Sequence, residues 1–283
     1  MAASTTLSYE VLVLDGDPSA LEDMRLPDGG QVAMSPLSVT LIHGERDAVL
    51  VDPPFTFDQA REVGDWIERS GKRLAFMYVT HGHGDHWFAA GELIKRFPGV
   101  KVYATPGTIE EMRRAIATRG EQFDLHFPDR IPPVSLIAEP VPADGLELEG
   151  NLLQAVEVGH TDTDETTVLH VPSIGLVVAG DAVYNGVHQH LDEGSGSGLR
   201  AWLTALDKIE ALAPSSVVAG HKNRALPDDP ATIGETRDYL QNAIRLLDSR
   251  PEPVAFFEEM VRLYPDHLNR TPLWLSAAGL LGR

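Results

Sequence analysis

Leu74-Ala-Phe-Met-Tyr-Val-Thr80 is an unbroken apolar run of strand length, and it stops on His81-Gly-His-Gly-Asp-His86. A strand buried on both faces reads this way. The loop that leaves it carries four potential metal ligands in six positions. Crowding three imidazoles and a carboxylate on one turn is costly unless cations share them. In an extended turn His81 and His83 point one way, while Asp85 and His86 swing toward a neighbouring point. Gly82 and Gly84 supply the backbone freedom for that path.

Outward from this stretch, short strands are predicted at 9–14, 37–43 and 48–51, with Gly44-Glu45-Arg46-Asp47 as the hairpin turn between the last two. Residues 56–69 read as a helix, because Phe57, Ala60, Val63 and Ile67 recur at spacings of three and four. Beyond the histidine cluster come a helix at 89–96, a strand at 100–104 and a helix opened by Thr105-Pro106-Gly107. The proline-rich stretch 124–142 reads as a crossing between two halves. The second half repeats the strand-and-helix logic, with strands at 152–158, 166–170, 176–179 and 216–219 and helices at 198–212 and 230–249. Asp229 is the expected cap of the last of these and Pro230 its first residue. Glu193-Gly-Ser-Gly-Ser-Gly198 is expected to be a mobile loop. Two short apolar helices, 254–263 and 272–281, close the chain. The expected division is a main domain, 1–250, with a helical extension, 251–283, packed on it or forming a dimer surface.

Three of the strand ends in the second half repeat one pattern: apolar run, glycine, ligand. They are Val156-Glu-Val-Gly-His160, Val177-Val-Ala-Gly-Asp181 and Val217-Val-Ala-Gly-His221. Singly each is weak; together with the first cluster they supply five histidines and two aspartates, enough for two metal ions sharing a carboxylate.

Composition narrows the chemistry. The 283 residues contain no cysteine, so thiolate ligands, disulfides and a cysteine nucleophile are excluded, while eleven histidines remain. With 23 Lys+Arg against 42 Asp+Glu, the net charge is −19. That balance argues against nucleic acid or an anionic membrane as partner and leaves a small-molecule substrate. No targeting or membrane-spanning pattern is read, which predicts a cytoplasmic location.

Thr80-His-Gly-His-Gly-Asp-His86 followed by His160, Asp181 and His221 resembles the metallo-β-lactamase-fold hydrolase superfamily, over about residues 8–225. The resemblance implies an α/β fold: a four-layer αββα sandwich of two mixed β-sheets flanked by helices. It also implies one Zn²⁺ on His81, His83 and His160, and a second on Asp85, His86 and His221. Asp181 would bridge them, and Asp52 would support the site from behind. Absence of cysteine sets aside the lactamase classes with a cysteine ligand, and the spacings of 21 residues from His160 to Asp181 and 40 to His221 resemble the lactonases. So does Tyr184, placed where lactonases hold a tyrosine over the substrate carbonyl. The implied reaction is hydrolysis of a carboxylic ester, lactone or thioester by a hydroxide bridging the two ions, with Asp85 or Asp181 passing a proton to the leaving group. Glyoxalase II-like thioester hydrolysis belongs to the same reading. The alternatives are a mononuclear iron persulfide dioxygenase and β-lactam hydrolysis at the same dizinc site. Trp87 and Phe88 depart from the small residues usual there and are either core or an apolar wall for substrate. His188 and His190, on the loop after Tyr184, are candidates to line the pocket or to be exposed.

Overall fold

The computed structural model describes residues 6–21, 24–134, 136–192 and 198–282. The Gly/Ser stretch 193–197, read as a mobile loop, lies outside the described residues. In the first half, strands β1 (Ser8–Leu14), β2 (Leu37–His43), β3 (Asp47–Val51), β4 (Arg73–Tyr78), β5 (Lys101–Ala104) and β6 (Glu139–Pro140) carry helices α1 (Phe57–Ser70), α2 (Ala90–Arg96) and α3 (Pro106–Arg119). In the second half, β7 (Leu146–Leu148), β8 (Asn151–Gly159), β9 (Thr166–Val171), β10 (Leu176–Asn185) and β11 (Ser216–Lys222) carry α4 (Gly198–Glu210), α5 (Ala231–Leu247), α6 (Pro253–Leu263) and α7 (Thr271–Leu281). Each half is a mixed sheet: β3, β4, β5 and β6 pair in parallel, as do β10 and β11, and the other neighbours are antiparallel. The sheets meet through the pairing of β2 with β11, at Leu37 opposite His221.

Side-chain alternation along the strands sorts the core into three apolar layers. Ala48 and Leu50 of β3 face α1 and α2, whereas Val49 and Val51 face the other sheet. On the far side Val177 and Val217 face α4 and α5, and Leu176, Val178 and Val218 complete the layer between the sheets. Helix, sheet, sheet, helix follows from that sorting, and it is the architecture expected. Local signals cap the helices, but α5 starts one residue later than expected, with Pro230 at its cap position and Ala231 as its first residue. Thr56 and Gln59 form a reciprocal cap at the start of α1, and Gly71, at φ 68°, ends it. Asp229 Oδ1 accepts from Ala231 N at 2.8 Å at the start of α5.

Two differences from the sequence reading matter for the site. Strands β10 and β11 do not stop at Gly180 and Gly220 but run on through Asp181 and His221. Gly180 takes a φ of +51° inside β10, and the register between β10 and β11 slips there. The short strands β6 and β7, in and just after the stretch read as a crossing, pair at the outer edges of the sheets.

Helices α6 and α7 bury Phe256, Phe257, Met260, Leu273 and Ala277 in the same cluster as α4, α5 and β10. Together with the turn between them they hold the segment that follows β10: His188 N donates to Leu268 O of that turn at 3.0 Å, and Leu191 N to Ser276 Oγ of α7 at 2.7 Å. Among the described residues, no helix is long and apolar enough to cross a membrane.

Candidate metal centre

The ligand-bearing loop leaves β4 and turns once through a 3-10 segment, Gly84–His86. Neither Gly82 nor Gly84 has a positive φ, so conformational freedom is not what they contribute. A Cβ at Gly84 would fall 2.3 Å from the Phe88 ring, and one at Gly82 2.3 Å from Glu111 Cβ. Close packing demands them. Trp87 fastens the loop from below, its Nε1 donating to Gly82 O at 3.0 Å. With exposures of 1% and 2%, Trp87 and Phe88 lie in the apolar layer with Phe55 and Phe127. That is the core position of the two weighed for them, and it presents no face to a substrate.

Asp52 stands at the end of β3 in the left-handed region, φ 55°, a conformation aspartate tolerates better than most side chains. From there Oδ1 accepts from Thr80 N at 2.8 Å and Oδ2 from Thr80 Oγ1 at 2.9 Å. Oδ2 also lies 3.4 Å from His86 Nδ1. Thr80 Oγ1 is in turn 2.9 Å from His81 Nδ1. One buried carboxylate thus orients two imidazoles, one directly and one through Thr80. Sequence reading placed Asp52 behind the site but missed Thr80, whose only signal was its position next to His81.

Asp181 sits at the centre. Its Oδ1 is 3.2 Å from His86 Nε2; its Oδ2 is 3.1 Å from His221 Nε2 and 3.9 Å from His81 Nε2. Asp85 Oδ2 approaches His221 Nε2 at 3.4 Å and His86 Nε2 at 3.7 Å. His221 Nδ1 is tied to Pro36 O at 2.9 Å, which aims Nε2 inward. Tyr184 donates its hydroxyl to Asp181 Oδ2 at 3.0 Å.

Ligand-type atoms converge in three groups, each within 4.8 Å: His81, His83, Asp162 and Asp181; Asp85, His86 and His221; and Asp52, His81 and His86. Donors bound about 2.0–2.2 Å from one centre lie about 3–4 Å from each other, and the atoms of each group here fall within 4.8 Å. The donors are also unmet otherwise. His81 Nε2, His86 Nε2, His160 Nε2, Asp162 Oδ2 and Asp181 Oδ1 are buried with no hydrogen-bond partner among the described residues. Such atoms cost free energy unless a cation takes them up, so the residues fit bound metal.

Electrostatics agree. Burial opposes charge on His86, yet the carboxylates of Asp181 and Asp85 hold its pKa well above the ordinary value. Burial likewise opposes charge on His221, but Asp181 and Asp85 raise it to about 10. Asp181 is driven far below the usual carboxylate range by His221 and His86 despite burial. The protons on His86 and His221 are those a cation would displace. Tyr184 is kept neutral by burial and by the charge of Asp181.

Not every expected residue joins. His160 is absent from the converging groups: its Nδ1 pairs with Asp164 Oδ1 at 2.5 Å, while its Nε2 is buried with no hydrogen-bond partner among the described residues. Asp162, two residues on, was not singled out in the sequence and lies in one of the converging groups. His188 is buried against Tyr239 and His267, away from the cluster, whereas the His190 ring comes within 6.0 Å of His83.

Residues 35–221, more than half of the chain, match the metallo-beta-lactamase superfamily. The chain belongs to that superfamily. Its fold neighbours agree: a beta-lactamase domain protein from Burkholderia ambifaria superposes with a TM-score of 0.65 at 18% identity, covering 95% of this chain and 86% of that one. Among curated relatives, a hydroxyacylglutathione hydrolase from Synechococcus sp. (strain CC9902) is 27% identical over 180 residues, 61% of each chain. A ribonuclease J from Pyrococcus abyssi is 26% identical over 161 residues, 52% of this chain and 34% of that one. The chain spans about three fifths of the length of the first of these. Within the superfamily, whose members are metal-binding hydrolases, the match ends on His221.

Proposed function

We propose that this protein hydrolyses a carboxylic ester, lactone or thioester with two zinc ions. One ion is held on the His81 and His83 side and the other by Asp85, His86 and His221, with Asp181 between them. The observation that carries the reading is the position of Asp181, whose two oxygens face His86 on one side and His221 and His81 on the other. Similarity to a hydroxyacylglutathione hydrolase supports a thioester as substrate. The net charge of −19 weighs against the polyanion that a ribonuclease cleaves.

Divalent cations, when bound, make water acidic near neutral pH and polarise a carbonyl oxygen. The chain supplies the rest. Asp52, Thr80 and the Pro36 carbonyl hold the imidazoles in their tautomers and orientations. Tyr184 keeps its proton at neutral pH and can turn its hydroxyl from Asp181 toward a developing oxyanion, an interaction worth about 2.7–4 kcal/mol when such a donor is removed. Asp85 or Asp181 relays a proton to the leaving alkoxide or thiolate. The His190 ring lies 6.0 Å from that of His83, which supports a role for it in contacting the substrate.

Purified protein should contain close to two zinc ions per chain and turn over a panel of thioesters, lactones and esters, with β-lactams and RNA as comparison substrates. A single iron with oxygen consumption on persulfides would replace this reading with the dioxygenase one.

A further inference from the structure

The turn between α6 and α7 holds two segments that are far apart in the chain. Leu268 forms a parallel bridge with Val187: its N donates to Gly186 O at 2.9 Å, and its O accepts from His188 N at 3.0 Å. Asn269, the next residue, holds the other segment. Its Nδ2 donates to Ala33 O at 3.1 Å and to Ser35 Oγ at 2.9 Å, and Ala33 N donates back to Thr271 Oγ1 at 3.0 Å. Asn269 stands in the left-handed region, φ 45°, which asparagine tolerates better than most residues. Its Oδ1 accepts from Thr271 N at 3.1 Å, which fixes the side chain to its own turn. Ser35 and Thr271 are buried, so these bonds are made away from water, where they are stronger.

Both segments lead to the metal centre. One residue beyond Ser35, Pro36 O lies 2.9 Å from His221 Nδ1, and Leu37 pairs with His221 across β2 and β11. Two residues beyond His188, the His190 ring comes within 6.0 Å of His83. Two adjacent residues of one turn therefore tie the anchor of His221 to the segment that carries His190. We propose that Asn269 is a positioning residue for the metal centre, locking the 33–36 and 186–190 segments into one unit around it. This rests on the metallohydrolase reading and deepens it. A metal site must hold its ligands to within ~0.5 Å, and a carbonyl at the end of an untethered segment would not keep His221 to that tolerance.

The test uses full-length protein stripped of metal, with Zn²⁺ binding followed by calorimetric titration and backbone opening by hydrogen exchange. Asn269→Asp keeps the size of the side chain and the bond from Thr271 N but cannot donate to Ala33 O. Asn269→Gly keeps the left-handed turn and drops every side-chain bond. Both variants should weaken one zinc step by ~10-fold, the low end of what losing an outer partner of a ligand costs, and leave the other step parental. Before zinc is added, hydrogen exchange over 33–37 and 186–192 should be faster in both than in the parent chain. Tyr264→Phe removes the bond from Asn242 at the start of the same turn and controls for general loosening of the helices; its zinc steps and exchange should match the parent. Parental zinc steps in both Asn269 variants, unchanged exchange over 186–192, or an equal effect of Tyr264→Phe overturns the assignment and leaves the hydrolase reading intact. A parent chain that binds no divalent cation overturns both.

Discussion

Two clusters of buried histidine in this protein are built from the same residue type and behave in opposite ways. In the first, His86 and His221 pack against Asp85 and Asp181, and both imidazoles are raised, His221 to about 10. In the second, His188 and His267 stack with Tyr239 and Tyr264, and His188 Nδ1 meets the Tyr239 hydroxyl at 2.9 Å. Burial there lowers His188 to about 3, helped by the positive charges of His267 and Arg270. Burial penalises the charged ring in both places; carboxylates reverse the outcome in one. A histidine ready for a cation is thus marked by its neighbours and not by how deeply it lies.

The severest way to break the comparison is Asp181→Ala, which removes the carboxylate that the first cluster is arranged around. Metal affinity should fall by more than ~100-fold and hydrolysis with it. Full activity in that variant would sink the dinuclear arrangement. Next in size, the two clusters should leave opposite pH signatures on stability. His221 is raised from 6.5 to about 10, so in metal-stripped protein its contribution is whole below pH 6.5 and is lost as pH rises toward 10. Adding Zn²⁺ should remove that decline, because the cation takes the place of the proton. His188 is lowered from 6.5 to about 3, so its contribution is present above pH 6.5 and is lost as pH falls toward 3. Denaturation of parent and His188→Phe chains across pH should differ in slope only in that acid window, by up to a few kcal/mol (~1.4 kcal/mol per pH unit). Equal slopes would mean that His188 is not held neutral by its surroundings.

Smaller effects sharpen the contrast. Asp52→Ala should cost ~10–100-fold in metal affinity, since Thr80, His81 and His86 lose their common anchor. Parental affinity in a titration would show that the anchor is dispensable. Tyr239→Phe should lower stability by about 0.5–1.5 kcal/mol through the lost bond to His188 and leave metal content unchanged. A change in metal content would mean that the clusters are coupled after all.

Much of this architecture was legible before folding. The apolar runs of β2, β3, β4 and β9 and the three-and-four spacing of α1 translate directly into elements, because period and burial are local properties of a chain. Strands β10 and β11 were read short. Gly180-Asp181 and Gly220-His221 look like turns, yet both strands continue because the site supplies partners for the polar side chains. Edge strands β6 and β7 gave little signal, being two and three residues long, with Pro140 in the first. In the site, His81, His83, Asp85, His86, Asp181 and His221 were legible from motif and spacing, and all six converge.

What the sequence determined by itself is the list of donors and the order of elements that bring them to one end of two sheets, since residue type and periodicity need no partner to be read. Only the tertiary structure decided which donors face one another. It turned His160 toward Asp164 and Asp162 toward His83, took His188 away to Tyr239, and sank Trp87 and Phe88 beneath the ligand loop. Those choices depend on side-chain direction and on packing between segments far apart in the chain, where a shift of one or two residues decides whether a polar atom meets a partner or is left without one.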